Sequence, residues 1–120
     1  MSINRIEDLE VYQLADQFSN EIWELVITWD YFAKDTVGKQ IVRSADSIGA
    51  NIAEGFGRFH YKENKNFCYF SRGSLIETKG WLIKSKARKL ISEEQFIDLI
   101  TKLELIHFKL NAYIKFIGNK

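Results

Sequence analysis

Between residues 96 and 117 the apolar residues Phe96, Leu99, Leu103, Ile106, Leu110, Tyr113 and Ile117 recur at spacings of 3, 4, 3, 4, 3 and 4. Alternating threes and fours are the period of an α-helix that lays one side on a core. A second stripe, Leu105, Phe108, Ala112 and Phe116, falls on nearly the opposite side at about 100° per residue. A helix that is apolar on two sides has to be covered on two sides. In a chain of 120 residues one side meets the rest of the bundle and the other points to a second subunit.

Three more helical segments precede it. A first helix over about 8–28 carries Val11, Ala15, Phe18, Ile22 and Leu25 at spacings 4, 3, 4 and 3, a heptad-like seam. Trp29-Asp30-Tyr31-Phe32 reads as an aromatic connection. The second helix, about 36–56, starts after Asp35, whose carboxylate can cap free amides, and its stripe is Ile41, Ala45, Ile48, Ile52 and Phe56. Its other side is small (Ser44, Ser47, Gly49, Ala50, Asn51), which invites close approach by another helix, and Gly55 and Gly57 end it. The third, about 62–89, offers Phe67, Phe70, Ser74, Ile76, Trp81 and Leu82, with Arg72-Gly73-Ser74 thinning one face. The fourth, about 93–117, opens at Ser92 with Gln95 as capping-box partner and Glu93 and Glu94 at the positive end of the helix dipole. Proline is absent, as suits helix interiors, where it costs about 3 kcal/mol.

Short loops make neighbours antiparallel, so the expected fold is an all-α, up-down-up-down four-helix bundle in a single domain over 1–120. Counting outward from loop 57–61 pairs Glu54 with Lys65, Asp46 with Arg72 and Arg43 with Glu77. The 46% hydrophobic content is that of a globular chain, which argues against disorder. One cysteine, Cys68, excludes an internal disulfide. No apolar run approaches the ~20 residues of a membrane span, and Met1-Ser2-Ile3-Asn4-Arg5 lacks the apolar stretch of a signal peptide, so the expectation is a cytoplasmic protein with no membrane partner.

Charge is segregated, although the net is only +1. Residues 1–33 hold seven acids and one base, and residues 34–90 hold twelve bases and five acids. This is the pattern of a nucleic-acid face, or equally of acidic and basic helices that pair with each other. The basic cluster Lys79, Lys84, Lys86, Arg88 and Lys89 is the nucleic-acid-binding candidate, and repeated around a ring it could hold phosphates. Trp81, Phe59 and Tyr61 are base-stacking candidates, with packing as their plainer role.

Enzymatic chemistry finds little support. Glu104-Leu105-Ile106-His107 matches half of a di-iron motif, but a site needs two such pairs and further inward glutamates, so neither metal nor cofactor is expected. Cys68 has no histidine nearby in sequence to activate it. Gly55-Phe56-Gly57 follows no strand and is not a phosphate loop.

Three stretches carry a resemblance: Asp8-Leu9-Glu10-Val11-Tyr12-Gln13-Leu14-Ala15; residues 43–58, with Ser47-Ile48, Asn51-Ile52-Ala53-Glu54-Gly55 and Arg58; and Phe67 with Ser71-Arg72-Gly73-Ser74-Leu75 and Glu77. Over about residues 6–117 the chain resembles the four-helix-bundle proteins encoded by intervening sequences of bacterial 23S ribosomal RNA genes. That resemblance implies a left-handed four-helix bundle assembled as a homopentamer. Distant relatives are accessory proteins of diversity-generating retroelements, strongly basic pentamers that bind nucleic acid and a reverse transcriptase, whereas this chain is near neutral. It also implies structural or subunit-contact roles for Arg43, Ser47, Asn51, Glu54, Gly55, Arg58, Arg72, Ser74 and Glu77. His60 stands where relatives carry a helix-capping serine, which leaves the third helix less firmly started. The expectation is a non-enzymatic ring that binds RNA or DNA, or a protein that processes it; the alternative is a protein-interaction scaffold without nucleic-acid affinity.

Overall fold

The computed structural model describes residues 3–118. One 3-10 turn at Ile6–Asp8 precedes α1 (Glu10–Val26), so the first helix begins two residues later than its sequence suggests. The Gln13 side chain donates to the Glu7 carbonyl at 2.7 Å and holds that turn against the helix. Val11, Ala15, Phe18 and Ile22 of the expected seam are buried.

The second helix corrects its expected cap. Asp30 accepts the Ala33 N–H at 3.0 Å and starts a helical turn at Tyr31–Ala33. That turn passes through a π-helical segment, Lys34–Gly38, into α2 (Lys39–Phe56). Asp35 therefore lies inside helical structure and pairs with Lys39 one turn on, at 2.7 Å. The far end falls where expected, with Gly57 as the C-cap after Phe56, and only the role of Gly55 differs. Gly55 is buried within α2 and does not stop it; the helix runs to Phe56.

α3 (Tyr61–Ala87) starts at His60, whose side chain makes no capping bond. It ends with Lys89 in the left-handed region at φ 61°, where the Leu90 N–H reaches back to the Ser85 carbonyl at 2.9 Å. α4 (Glu93–Ile117) opens on the expected capping box: Ser92 accepts the Gln95 N–H at 3.0 Å, and the Ser92 N–H donates to Gln95 at 2.9 Å.

The helices pack in chain order around one core, and α4 closes back onto α1. Ion pairs Lys102–Glu21 and Lys109–Glu10 run α4 antiparallel to α1, and Lys79–Glu104 and Lys86–Glu93 do the same for α3 and α4. The result is an all-helical antiparallel bundle of about 47 × 23 × 20 Å with no strand among the described residues.

The register of α2 on α3 follows the count from their connection, but the side chains that meet are not the charged ones. Ser71 donates to the Ile48 carbonyl at 2.7 Å, and Thr78 Oγ1 contacts Ser44 Oγ at 2.8 Å. The expected Asp46–Arg72 and Arg43–Glu77 pairs do not form: Arg72 reaches Asn111, and Glu77 accepts the Trp81 indole N–H. Glu54 pairs with Arg58 at 3.1 Å. The buried stripe of α3 is Cys68, Ser71, Leu75, Thr78, Leu82 and Ser85, half of it hydroxyl-bearing. Phe70 and Ile76, expected in its apolar surface, are exposed. Small side chains put the two backbones close. A Cβ on Gly55 would fall 2.7 Å from the Asn64 side chain and 2.9 Å from Phe67 Cβ.

Candidate functional site

The long helix α3 carries a second seam on its solvent side. Tyr69, Gly73, Ile76, Gly80, Ile83 and Ala87 follow one another at spacings of 4, 3, 4, 3 and 4, and all six are exposed. A Cβ on Gly73 or Gly80 would meet nothing within 4 Å. Glycine inside a helix costs about 1 kcal/mol relative to alanine. Nothing within the subunit offsets that cost twice, seven residues apart, on one line. The sequence held this signal, since the heptad spacing of the two glycines with Tyr69, Ile76 and Ile83 is visible there. A search for apolar residues alone passes over it.

α4 in turn exposes Ile97, Leu105, Phe108 and Phe116, with Phe108 69% and Phe116 72% accessible. The second stripe of α4 is thus uncovered by the subunit itself. A polar ladder joins the two helices: Arg72 donates to Asn111 at 2.8 Å, Lys79 pairs with Glu104 at 3.1 Å, and Lys86 pairs with Glu93 at 2.6 Å. These rungs sit seven residues apart on α3.

The ladder divides the basic cluster. Lys79 and Lys86 are its rungs, and Lys86 also lies 4.7 Å over the Phe96 ring. Lys84, Arg88 and Lys89, at the carboxyl end of α3, are exposed and make no ion pair among the described residues. Trp81 is partly buried and donates to Glu77 at 3.1 Å, a packing role. Phe59, by contrast, is 92% exposed, and Tyr61 is exposed as well.

The motif residues of α2 bond mostly within their own helix. Ser47 donates to the Arg43 carbonyl at 2.8 Å, and Asn51 donates to the Ser47 carbonyl at 2.9 Å. Arg43 projects outward, exposed. Arg58 ties the end of α2 to the start of α3: it pairs with Glu54 at 3.1 Å and Glu63 at 3.6 Å and lies 4.9 Å over the Phe67 ring. On α3, Arg72 also faces the Tyr69 ring at 5.2 Å, and the Ser74 carbonyl accepts the Thr78 hydroxyl at 2.8 Å.

Reactive groups do not converge. Glu104 is held by Lys79, and no group of three or more His, Cys, Asp or Glu side chains is placed to hold a metal among the described residues. Cys68 is buried, and desolvation pushes its thiol up to about 11, which keeps it protonated at neutral pH. No described helix is long and apolar enough to cross a membrane.

The sequence over residues 7–112 matches the family model described as 23S rRNA-intervening sequence protein. A solved structure from Bacteroides thetaiotaomicron, described as a protein with unknown function from the S23 ribosomal protein family, superposes with a TM-score of 0.79. It is 26% identical, over 88% of this chain and 98% of that one. No curated protein matches. With most of its length matched, the chain belongs to the 23S rRNA-intervening sequence protein family.

Proposed function

We propose that this protein is a non-enzymatic module that assembles into a homo-oligomeric ring through the outer face of α3 and α4. The carrying observation is the pair Gly73 and Gly80, open to solvent on a heptad line between Tyr69, Ile76 and Ile83. Close helix approach by another copy accounts for both. Phe108 and Phe116 supply the complementary surface. At a rise of 1.5 Å per residue they stand about 12 Å apart along α4, against about 10.5 Å between the two glycines. Two different patches meeting head to tail make a heterologous contact, which closes into a ring when the rotation allows. Five copies is the number that the family resemblance implies.

Light scattering on the purified protein tests this. The wild type is expected as one oligomeric species, and Ile76→Glu with Phe108→Glu as a folded monomer. A wild type that is monomeric at high concentration overturns the assembly.

The nucleic-acid part of the proposal lies at the carboxyl end of α3. Lys84, Arg88 and Lys89 are exposed without ion pairs among the described residues, and a ring repeats them around one rim. Anisotropy of labelled RNA and single-stranded DNA is expected to report binding that weakens steeply with salt and is lost in Lys84→Glu with Arg88→Glu. No binding even at low salt would leave a scaffold for protein partners.

A further inference from the structure

The opposite end of the bundle holds a half-open cleft of about 1090 Å³. It is formed where the connection between α2 and α3 turns into the first two turns of α3 and meets the end of α4 at Gly118. Phe59, Tyr61 and Tyr69 line it with three aromatic rings, and Lys62, Lys65 and Asn66 stand among them. On α3, Lys62, Lys65, Asn66 and Tyr69 follow a spacing of 3, 1 and 3, which is one helix face.

Phe59 carries the inference. The residue is 92% exposed, and among the described residues its ring meets only one other ring, an edge of His60, at 5.2 Å. A phenylalanine held in water at the mouth of a cleft, beside the exposed Tyr61, is apolar area that folding of the subunit did not use. The rim is basic. Among the lining residues Lys62 and Lys65 stand against one acid, Glu63, which lies 3.6 Å from the Arg58 guanidinium that Glu54 also engages at 3.1 Å.

We propose that this cleft is a stacking site for the bases of single-stranded nucleic acid. A base slots against Phe59 and Tyr61, the Lys62 ammonium meets the adjoining phosphate, and the Asn66 amide offers a donor and an acceptor to a base edge. Flat apolar faces next to cations on a helix surface are the chemistry of strand binding without strict sequence preference. The inference rests on the nucleic-acid part of the proposed function, but puts a contact at the other end of the bundle from Lys84 and Arg88.

The test uses the full chain and a short single-stranded RNA carrying one fluorescent purine analogue whose emission is quenched on stacking. Wild type is expected to quench it on binding. Phe59→Ala with Tyr61→Ala is expected to lose the quenching and bind about tenfold or more weakly. Phe59→Trp is expected to keep both. The substituted positions are exposed, so the fold should survive, and circular dichroism checks it. If the double alanine variant binds and quenches like wild type while Lys84→Glu with Arg88→Glu does not bind, the cleft is overturned and the basic rim stands. If no protein binds at low salt, both fall. If the alanine variant changes the oligomeric mass instead of the quenching, a second copy fills the cleft and the inference is overturned.

Discussion

Gly49 and Gly55 lie on one helix six residues apart, and their surroundings give opposite expectations for the same substitution. At Gly55 a methyl group would enter the space of Asn64 and Phe67, part of it backbone, so α3 would have to retreat. Gly55→Ala should destabilise by about 1–3 kcal/mol, the usual cost of overpacking. At Gly49 the nearest atoms, on Tyr12 and Ala15, are 3.6 and 3.7 Å away, an ordinary contact. Gly49→Ala should be neutral or should stabilise by up to about 1 kcal/mol through helix propensity. Urea titration of the two variants decides it, and equal effects would contradict the geometry. Asp46 gives a pH-dependent case. Partial burial, then the Asp16 carboxylate, raise its carboxyl above the ordinary aspartate value, while a hydrogen bond with Ser19 opposes them. The folded protein thus binds this proton more tightly than the unfolded chain does. Stability from that source is present in acid and lost as pH rises through the folded value. Asp46→Asn should therefore raise the melting temperature at neutral pH, and the gain should vanish in acid below the unfolded aspartate value.

At the scale of the helices, α2 and α3 are joined by hydroxyl groups where the other pairs use apolar chains and surface charge. Ser44 and Thr78 are buried and in contact at 2.8 Å. A double-mutant cycle of Ser44→Ala and Thr78→Val should show a coupling of about 0.5–1.5 kcal/mol, as a buried neutral hydrogen bond contributes. Additive effects would mean that each hydroxyl is satisfied within its own helix. The same stripe explains what could be read from the sequence. α1 and α4 show their seams plainly because Phe18, Ile22, Leu103 and Leu110 are apolar and regularly spaced. The Ser92–Gln95 cap is legible because a capping box is local. In α3 the buried positions Ser71, Thr78 and Ser85 look like surface residues, and the surface positions Phe70 and Ile76 look like core. Burial there is decided by the closeness of α2, which lies at the far side of a tertiary contact. The Asp30 cap was hidden for a related reason: Asp35 is just as good a cap by composition, and only the path of the chain between α1 and α2 selects one of them. Of the basic cluster, composition shows all five members alike. The pairing of Lys79 and Lys86 with α4 acids is what sets Lys84, Arg88 and Lys89 apart.

For the molecule as a whole, the outer seam of α3 couples subunit stability and assembly with opposite signs. Gly73→Ala with Gly80→Ala should stabilise the isolated subunit by about 1 kcal/mol per site, because each position is helical and open. The same methyl groups should weaken association if a neighbouring helix packs there. Guanidinium melts in the Ile76→Glu with Phe108→Glu background, expected to be monomeric, and light scattering of the otherwise native chain separate the two effects; a tighter oligomer would argue that the glycines are not at the contact. The close α2–α3 seat has a consequence in time as well. Four residues, Gly57 to His60, link these two helices, and their backbones run closest together of any pair in the bundle. Bringing them together costs little chain entropy, whereas α1 and α4 meet only after most of the chain has closed a loop between them. Refolding should therefore begin as a central hairpin, with the two outer helices docking onto it afterwards. The hydroxyl stripe would be formed at the rate-limiting step and the outermost aromatic seam last.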